Sequence, residues 1–239
     1  MKIIALGDTH GRNKWKEITA KEDDADKVIF IGDYFDTHDQ GHSPNRQIEN
    51  FKDILAYKKA NPNKVILLFG NHDFHYIRNI GETYSGYSAG YAHDIGELID
   101  LVIKEDLVQM CYLHDKFFFS HAGLTKTWAE KFIGNSNPMI NEVLVQGIND
   151  LFKYTPNVFK FRMGNNLSQT GNDVTQGPIW VRPVSLLKDM VDGITCVVGH
   201  TTVKRLDLNE EFPNLILIDC LGTSGEYLVI ENNVLRVAK

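Results

Sequence analysis

One stretch constrains this chain more than any other. Five consecutive apolar residues, Val65-Ile66-Leu67-Leu68-Phe69, run into Gly70 and then into Asn71-His72-Asp73. A short apolar run closed by glycine predicts a strand buried on both faces, the usual state of a strand in a parallel sheet. Gly70 lets the backbone turn sharply at its end. Three metal-capable or proton-transferring side chains are then presented at the carboxyl end, where open α/β sheets place their ligands.

The same arrangement recurs four times. The run 2–6 ends at Gly7 and opens into Asp8-Thr9-His10-Gly11, and the run 27–31 ends at Gly32 and opens into Asp33-Tyr34-Phe35-Asp36. The run 117–120 closes on His121-Ala122-Gly123, and 194–198 closes on Gly199-His200. Any one of these has a bland reading as turn aspartate, helix cap or core histidine. All five occupy the same end of apolar strands, so the bland reading would have to hold five times over.

Helical patterns at 13–20 and 46–60 separate the first three strands, and short crossovers of this kind imply a parallel sheet. Further helices are expected at 95–103, 127–133 and 141–152, and further strands at 215–219, 227–231 and 234–237. Asn232-Asn233 reads as a hairpin turn. The polar stretch 164–177 predicts an irregular loop, functional or mobile at that length. With no repeat or linker in 239 residues, one domain spanning 1–239 is expected, with 125–180 as a helical insertion.

The residue types have a chemical logic. Divalent cations take carboxylate oxygen and neutral imidazole nitrogen. Asp8, His10 and Asp33 suit one ion; Asp33, Asn71, His121 and His200 suit a second, with Asp33 shared. Two such ions polarise a phosphoryl group and generate hydroxide near neutral pH. No cysteine falls in the motifs, against a closed structural zinc site. No serine or cysteine nucleophile stands beside a histidine in them either, so attack by metal-bound water is favoured. These ligands suit manganese first, with iron, zinc or mixed pairs as alternatives.

Other classes are disfavoured. The net charge of −6, with no stripe of Lys and Arg, argues against general nucleic-acid binding. No apolar run approaches the roughly 20 residues that span a bilayer. The chain opens directly as a strand, so no signal peptide is expected. Cys111, Cys196 and Cys220, odd in number, suggest free buried thiols and a cytoplasmic location.

Taken together and in order, Gly7-Asp8-Thr9-His10-Gly11, Gly32-Asp33-x-x-Asp36, Gly70-Asn71-His72-Asp73, His121-Ala122-Gly123 and Gly199-His200-Thr201 resemble the calcineurin-like metallophosphoesterases. The branch most similar contains the phosphoprotein phosphatases and the symmetrical diadenosine tetraphosphatases. The motifs cover about residues 1–205. The resemblance implies a four-layer α/β/β/α sandwich with a dimetal centre at its rim. It assigns Asp8, His10 and Asp33 to one ion and Asp33, Asn71, His121 and His200 to the other. It makes His72 the proton donor to the leaving oxygen, oriented by Asp36. An Asp–His pair keeps an imidazolium available beside cations, as a general acid requires.

Two departures matter. Phosphoprotein phosphatases follow the aspartate at position 36 with Arg-Gly, whereas Thr37-His38 follows here, and Asp73 stands where they carry Glu. One phosphate-gripping arginine is therefore missing, leaving His38 and Arg182, within Ile179-Trp180-Val181-Arg182-Pro183, as candidates. Hydrolysis of phosphomonoesters, including phosphoserine and phosphothreonine, is the leading expectation. Dinucleoside polyphosphates, cyclic nucleotides or nucleic-acid diesters are alternatives, with residues 84–91 or 164–177 available to stack a base. A non-catalytic scaffold is disfavoured because the full ligand set is kept.

Overall fold

The first three apolar runs form parallel strands joined by helices. They are β1 (Lys2–Leu6), α1 (Lys14–Lys21), β2 (Lys27–Phe30), α2 (Pro44–Ala60) and β3 (Val65–Leu68), with β1 parallel to β2 and β2 to β3. Helix α2 starts where its sequence dictates: the Ser43 side chain accepts from the Arg46 N–H, and Pro44 occupies the first turn. A computed structural model defines these positions and describes all residues except 38, 40, 135–140, 166–167 and 209–210.

The chain continues through α3 (Asn71–Phe74), α4 (Ala92–Lys104), β4 (Val108–Gln109), β5 (Cys111–His114) and β6 (Phe117–Ser120). Helices α5 (Lys126–Ile133), α6 (Glu142–Tyr154) and α7 (Pro183–Asp189) precede β7 (Thr195–Val198), β8 (Leu215–Leu217), β9 (Tyr227–Glu231) and β10 (Val234–Ala238). Two sheets result: a six-stranded one ordered β10-β9-β1-β2-β3-β4, and a four-stranded one ordered β5-β6-β7-β8. Strands β6 and β7 are parallel, so all five motif-bearing strands lie in parallel pairings, three in one sheet and two in the other.

Side-chain alternation divides the core into layers. Ile3, Ala5, Ile29, Ile31, Ile66 and Leu68 from the larger sheet cluster with Phe117, Phe119, Val197 and Ile216 from the smaller. The residues between them, Ile4, Leu6, Val28, Phe30, Val65, Leu67, Phe118 and Cys196, cluster instead with helical residues such as Trp15, Phe51, Trp128 and Leu186. This is the expected sandwich with helices outside it.

Several expectations are refined. Asn232 and Asn233 take φ of +50° and +65° between β9 and β10, a two-residue hairpin turn that asparagine tolerates. Strands β4 and β5 and helix α7 add to the predicted elements. Residues 125–180 carry α5, α6 and the single 3₁₀ turns Pro156–Phe159 and Phe161–Met163. The three cysteines are buried and unpaired. No helix among the described residues is long and apolar enough to cross a membrane.

Candidate functional site

The carboxyl ends of β1, β2, β3, β6 and β7 deliver their polar residues to one place. Donor atoms of Asp8, His10 and Asp33 lie within 4.8 Å of one another, as do those of Asp33, His121 and His200. Asp33 belongs to both groups. Its Oδ2 is 3.3 Å from His121 Nε2 and 4.0 Å from His10 Nε2. Asn71 Oδ1 sits 2.9 Å from His121 Nε2 and 2.8 Å from His200 Nδ1. All six residues singled out as metal ligands therefore converge.

Each histidine is turned inward by its outer nitrogen. His10 Nδ1–H donates to Phe35 O at 2.6 Å, His121 Nδ1–H to Ile31 O at 3.0 Å, and His200 Nε2–H to Trp180 O at 3.1 Å. A proton committed to a carbonyl leaves the other nitrogen bare and aimed inward, the usual support of a ligating imidazole. Burial lowers the pKa of His10 and takes that of His200 far down, so both favour the neutral form that binds cations.

The carboxylates are held as firmly. Asp8 accepts the His200 backbone N–H at 3.1 Å, and Asp33 Oδ1 accepts that of His72 at 2.9 Å. These contacts need bare glycines. A Cβ at Gly199 would lie 2.1 Å from Asp8 Oδ1, and one at Gly70 would lie 2.1 Å from Asp33 Oδ1. Asp33 itself has φ of +53°, a strained value for a residue with a side chain. Asp73 braces it, accepting the N–H groups of Gly70 and Asp33 at 2.9 Å and of Tyr34 at 2.8 Å. That geometry gives the departure from Glu a structural role.

Burial pushes Asp8 well above the usual carboxylate range, and Asp219 and Asp33 add to the effect. Asp33 goes the other way: burial opposes its charge, but the neighbouring histidines, His121 and His72 first, outweigh it and hold it well below the ordinary value. Three carboxylates crowded behind inward-aimed imidazoles are a donor set that divalent cations would satisfy.

His72 lies beside this cradle, and burial works against its charge. Asp33 and Asp36 outweigh burial and lift its pKa to about 9. His72 Nδ1 is 3.4 Å from Asp36 Oδ2, a long contact that sets orientation more than it bonds. Asp36 is fastened by two residues not singled out from the sequence: Tyr76 OH donates to Oδ1 at 2.5 Å, and His75 Nε2–H donates to Oδ2. His75 Nδ1 accepts the Tyr84 N–H at 3.1 Å, which fixes the proton on Nε2. The Asp36–His72–His75 group is thus a hydrogen-bonded network rather than a third cation site.

An open cavity of about 380 Å³ joins Asp8, His10, Asp33, Asp36, His72 and His200 with Arg12, Thr37, Asp39, Arg182, Thr202 and Asp219. Arg182 is therefore present at the site, tied through Nη1 to His200 O at 2.7 Å and through Nε to Thr170 O at 2.9 Å. His38 lies outside the described residues. Arg12 and Asp219 were not singled out from the sequence. The signal for Asp219 was there, since Leu215–Ile218 is one more apolar run ending in a carboxylate. The base-stacking role considered for 84–91 loses two rings: Tyr84 stacks on His75 and abuts Trp180, and Tyr87 packs on Tyr76 and His75. Residues 164–177 contain no aromatic side chain.

The sequence profile of calcineurin-like phosphoesterases matches residues 1–204. The chain belongs to this family. Like other calcineurin-like phosphoesterases, it falls among proteins that hydrolyse phosphoesters, and it carries two candidate metal-ligand groups sharing Asp33. A protein serine/threonine phosphatase from Saccharomyces cerevisiae shares the fold with a TM-score of 0.57 at 13% identity, over 100% of this chain and 79% of that one. The protein TT1561 of Thermus thermophilus aligns with a TM-score of 0.44 at 10% identity, over 100% of this chain and 98% of that one. No curated protein matches the sequence.

Proposed function

We propose that this calcineurin-like phosphoesterase hydrolyses phosphomonoesters with two divalent cations, manganese first among them. Asp8, His10 and Asp33 would hold one and Asp33, Asn71, His121 and His200 the other. The observation that carries the reading is the shared carboxylate of Asp33, which lies within both donor groups while three histidines turn bare nitrogens toward it. When bound, such a pair supplies Lewis acidity to a phosphoryl oxygen and to water.

The chain's own residues supply the rest. His72, kept protonated by Asp33 and Asp36, donates its proton to the leaving oxygen and so avoids expulsion of an alkoxide. Among the described residues Arg182 uses only Nε and Nη1 for hydrogen bonds, leaving Nη2 to meet a phosphoryl oxygen. The hydroxyls lining the cavity belong to Thr37 and Thr202, and Thr202 donates to Asp219 at 2.6 Å. Neither hydroxyl is paired with a histidine base among the described residues, so water is the nucleophile this site favours.

Phosphoserine and phosphothreonine peptides fall within the proposed class. The packing of Tyr84 and Tyr87 takes support from the nucleotide alternatives. Manganese-loaded protein assayed on p-nitrophenyl phosphate, phosphopeptides, mononucleotides and dinucleoside polyphosphates tests the proposal. Metal-stimulated turnover of monoesters, abolished by a chelator, is expected. Turnover confined to dinucleoside polyphosphates would move the assignment to that class, and none on any substrate would defeat it.

A further inference from the structure

The arginine missing after Asp36 leaves the cavity short of one anion-gripping group, and we infer that Arg12 fills that role. This assignment rests on the phosphoesterase reading above. Arg12 is half-buried and lines the same cavity as Asp8, His10, Asp33, His72 and Arg182. It stands directly after Gly11, two residues beyond the predicted ligand His10.

Two features set its guanidinium apart from a solvated surface arginine. First, it has a prepared seat. A Cβ on Gly222 would lie 2.7 Å from its Cζ, 2.8 Å from Nη2 and 3.0 Å from Nε, so the group lies flat against the Gly222 backbone and a side chain there would push it aside. Second, its donors are unclaimed. Its one protein hydrogen bond among the described residues is a long one, from Nη1 to Thr9 O at 3.4 Å. Arg182, by comparison, commits Nε and Nη1 to three acceptors.

No carboxylate forms an ion pair with it among the described residues. Asp39, which lines the same cavity, accepts the Gly41 N–H through Oδ1 at 3.0 Å, the contact that does most to lower its pKa, with Arg12 a lesser contributor. A planar fork of free N–H groups, braced and facing a cavity, fits the non-bridging oxygens of a phosphoryl group.

A contact of this kind holds substrate and transition state about equally, so its loss should raise KM and leave kcat little changed. The test uses manganese-loaded wild type, Arg12→Ala and Arg12→Lys, with p-nitrophenyl phosphate as substrate and inorganic phosphate as the binding probe, measured by calorimetry and as a competitive inhibitor. Arg12→Ala should raise KM and weaken phosphate binding by about tenfold, the scale of one charged hydrogen bond, with Arg12→Lys recovering part of the loss. Gly222→Ala, which displaces the guanidinium without deleting it, should shift both quantities the same way. If wild type turns over and binds phosphate while Arg12→Ala matches it in both, the assignment is overturned and the phosphoesterase reading stands. A wild type that does neither removes both.

Discussion

The cradle and the proton-donor side of this site lie next to each other and are built differently. In the cradle, backbone groups do the holding: three histidines donate to main-chain carbonyls, and two aspartates accept main-chain N–H groups. On the donor side, side chains hold one another, His75 and Tyr76 fastening Asp36, which orients His72. Strand ends buried in a sandwich move little, so the first construction fixes positions. The second controls charge, because the proton on His72 depends on the carboxylates around it. Position and protonation are thus held largely by different structures, with Asp33 the one residue serving both, and substitutions at Asp36 and in the cradle should separate them.

The largest effect should come from the residue common to both donor groups. Asp33→Asn leaves its backbone braced by Asp73 but replaces a charged oxygen with a neutral amide in both groups. Turnover should fall at least about a thousandfold, and bound metal, counted by elemental analysis, should drop below two ions per chain. Full metal content would show that Asp33 is not shared. His72→Asn should do the reverse, cutting kcat by roughly a hundredfold to ten-thousandfold with metal content unchanged. Equal loss of metal and activity would place His72 in the cradle.

What the sequence revealed and hid follows the same division. A ligand at the end of a buried strand announces itself locally, since an apolar run leads, mostly through a glycine, into a carboxylate, amide or imidazole. Asp8, Asp33, Asn71, His121 and His200 were legible for that reason. His75, Tyr76 and Arg12 were not, because their roles depend on residues distant in the chain: Asp36 for the first two, Gly222 for the last. Among the strands, β4 and β5 escaped notice because they are short and carry Gln109 and His114. The turn after β5 depends on Asp115 at φ of +52°, a conformation the flanking apolar pattern does not signal.

A smaller effect tests whether the donor side governs charge. Asp36→Asn removes one of the three anions, Asp33, Asp36 and Asp73, that raise the His72 pKa. A general acid works while protonated, so activity is present at low pH and lost as pH rises through that pKa. With cations in the cradle repelling the imidazolium, the wild-type alkaline limb should lie below about 9, and in Asp36→Asn it should lie lower still. A limb that stayed put would mean His72 holds its proton without Asp36. The smallest change is Tyr76→Phe, which takes one donor from Asp36 and the acceptor from the Ser88 N–H. Its cost is about 1–3 kcal/mol of stability, read as a fall of a few degrees in Tm. The alkaline limb should hardly move, because His75 still holds Asp36 in place. If Tyr76→Phe instead shifted the pH profile as far as Asp36→Asn does, the hydroxyl would rank with the carboxylate in setting His72's charge, and the split between holding and charging would fail at this residue.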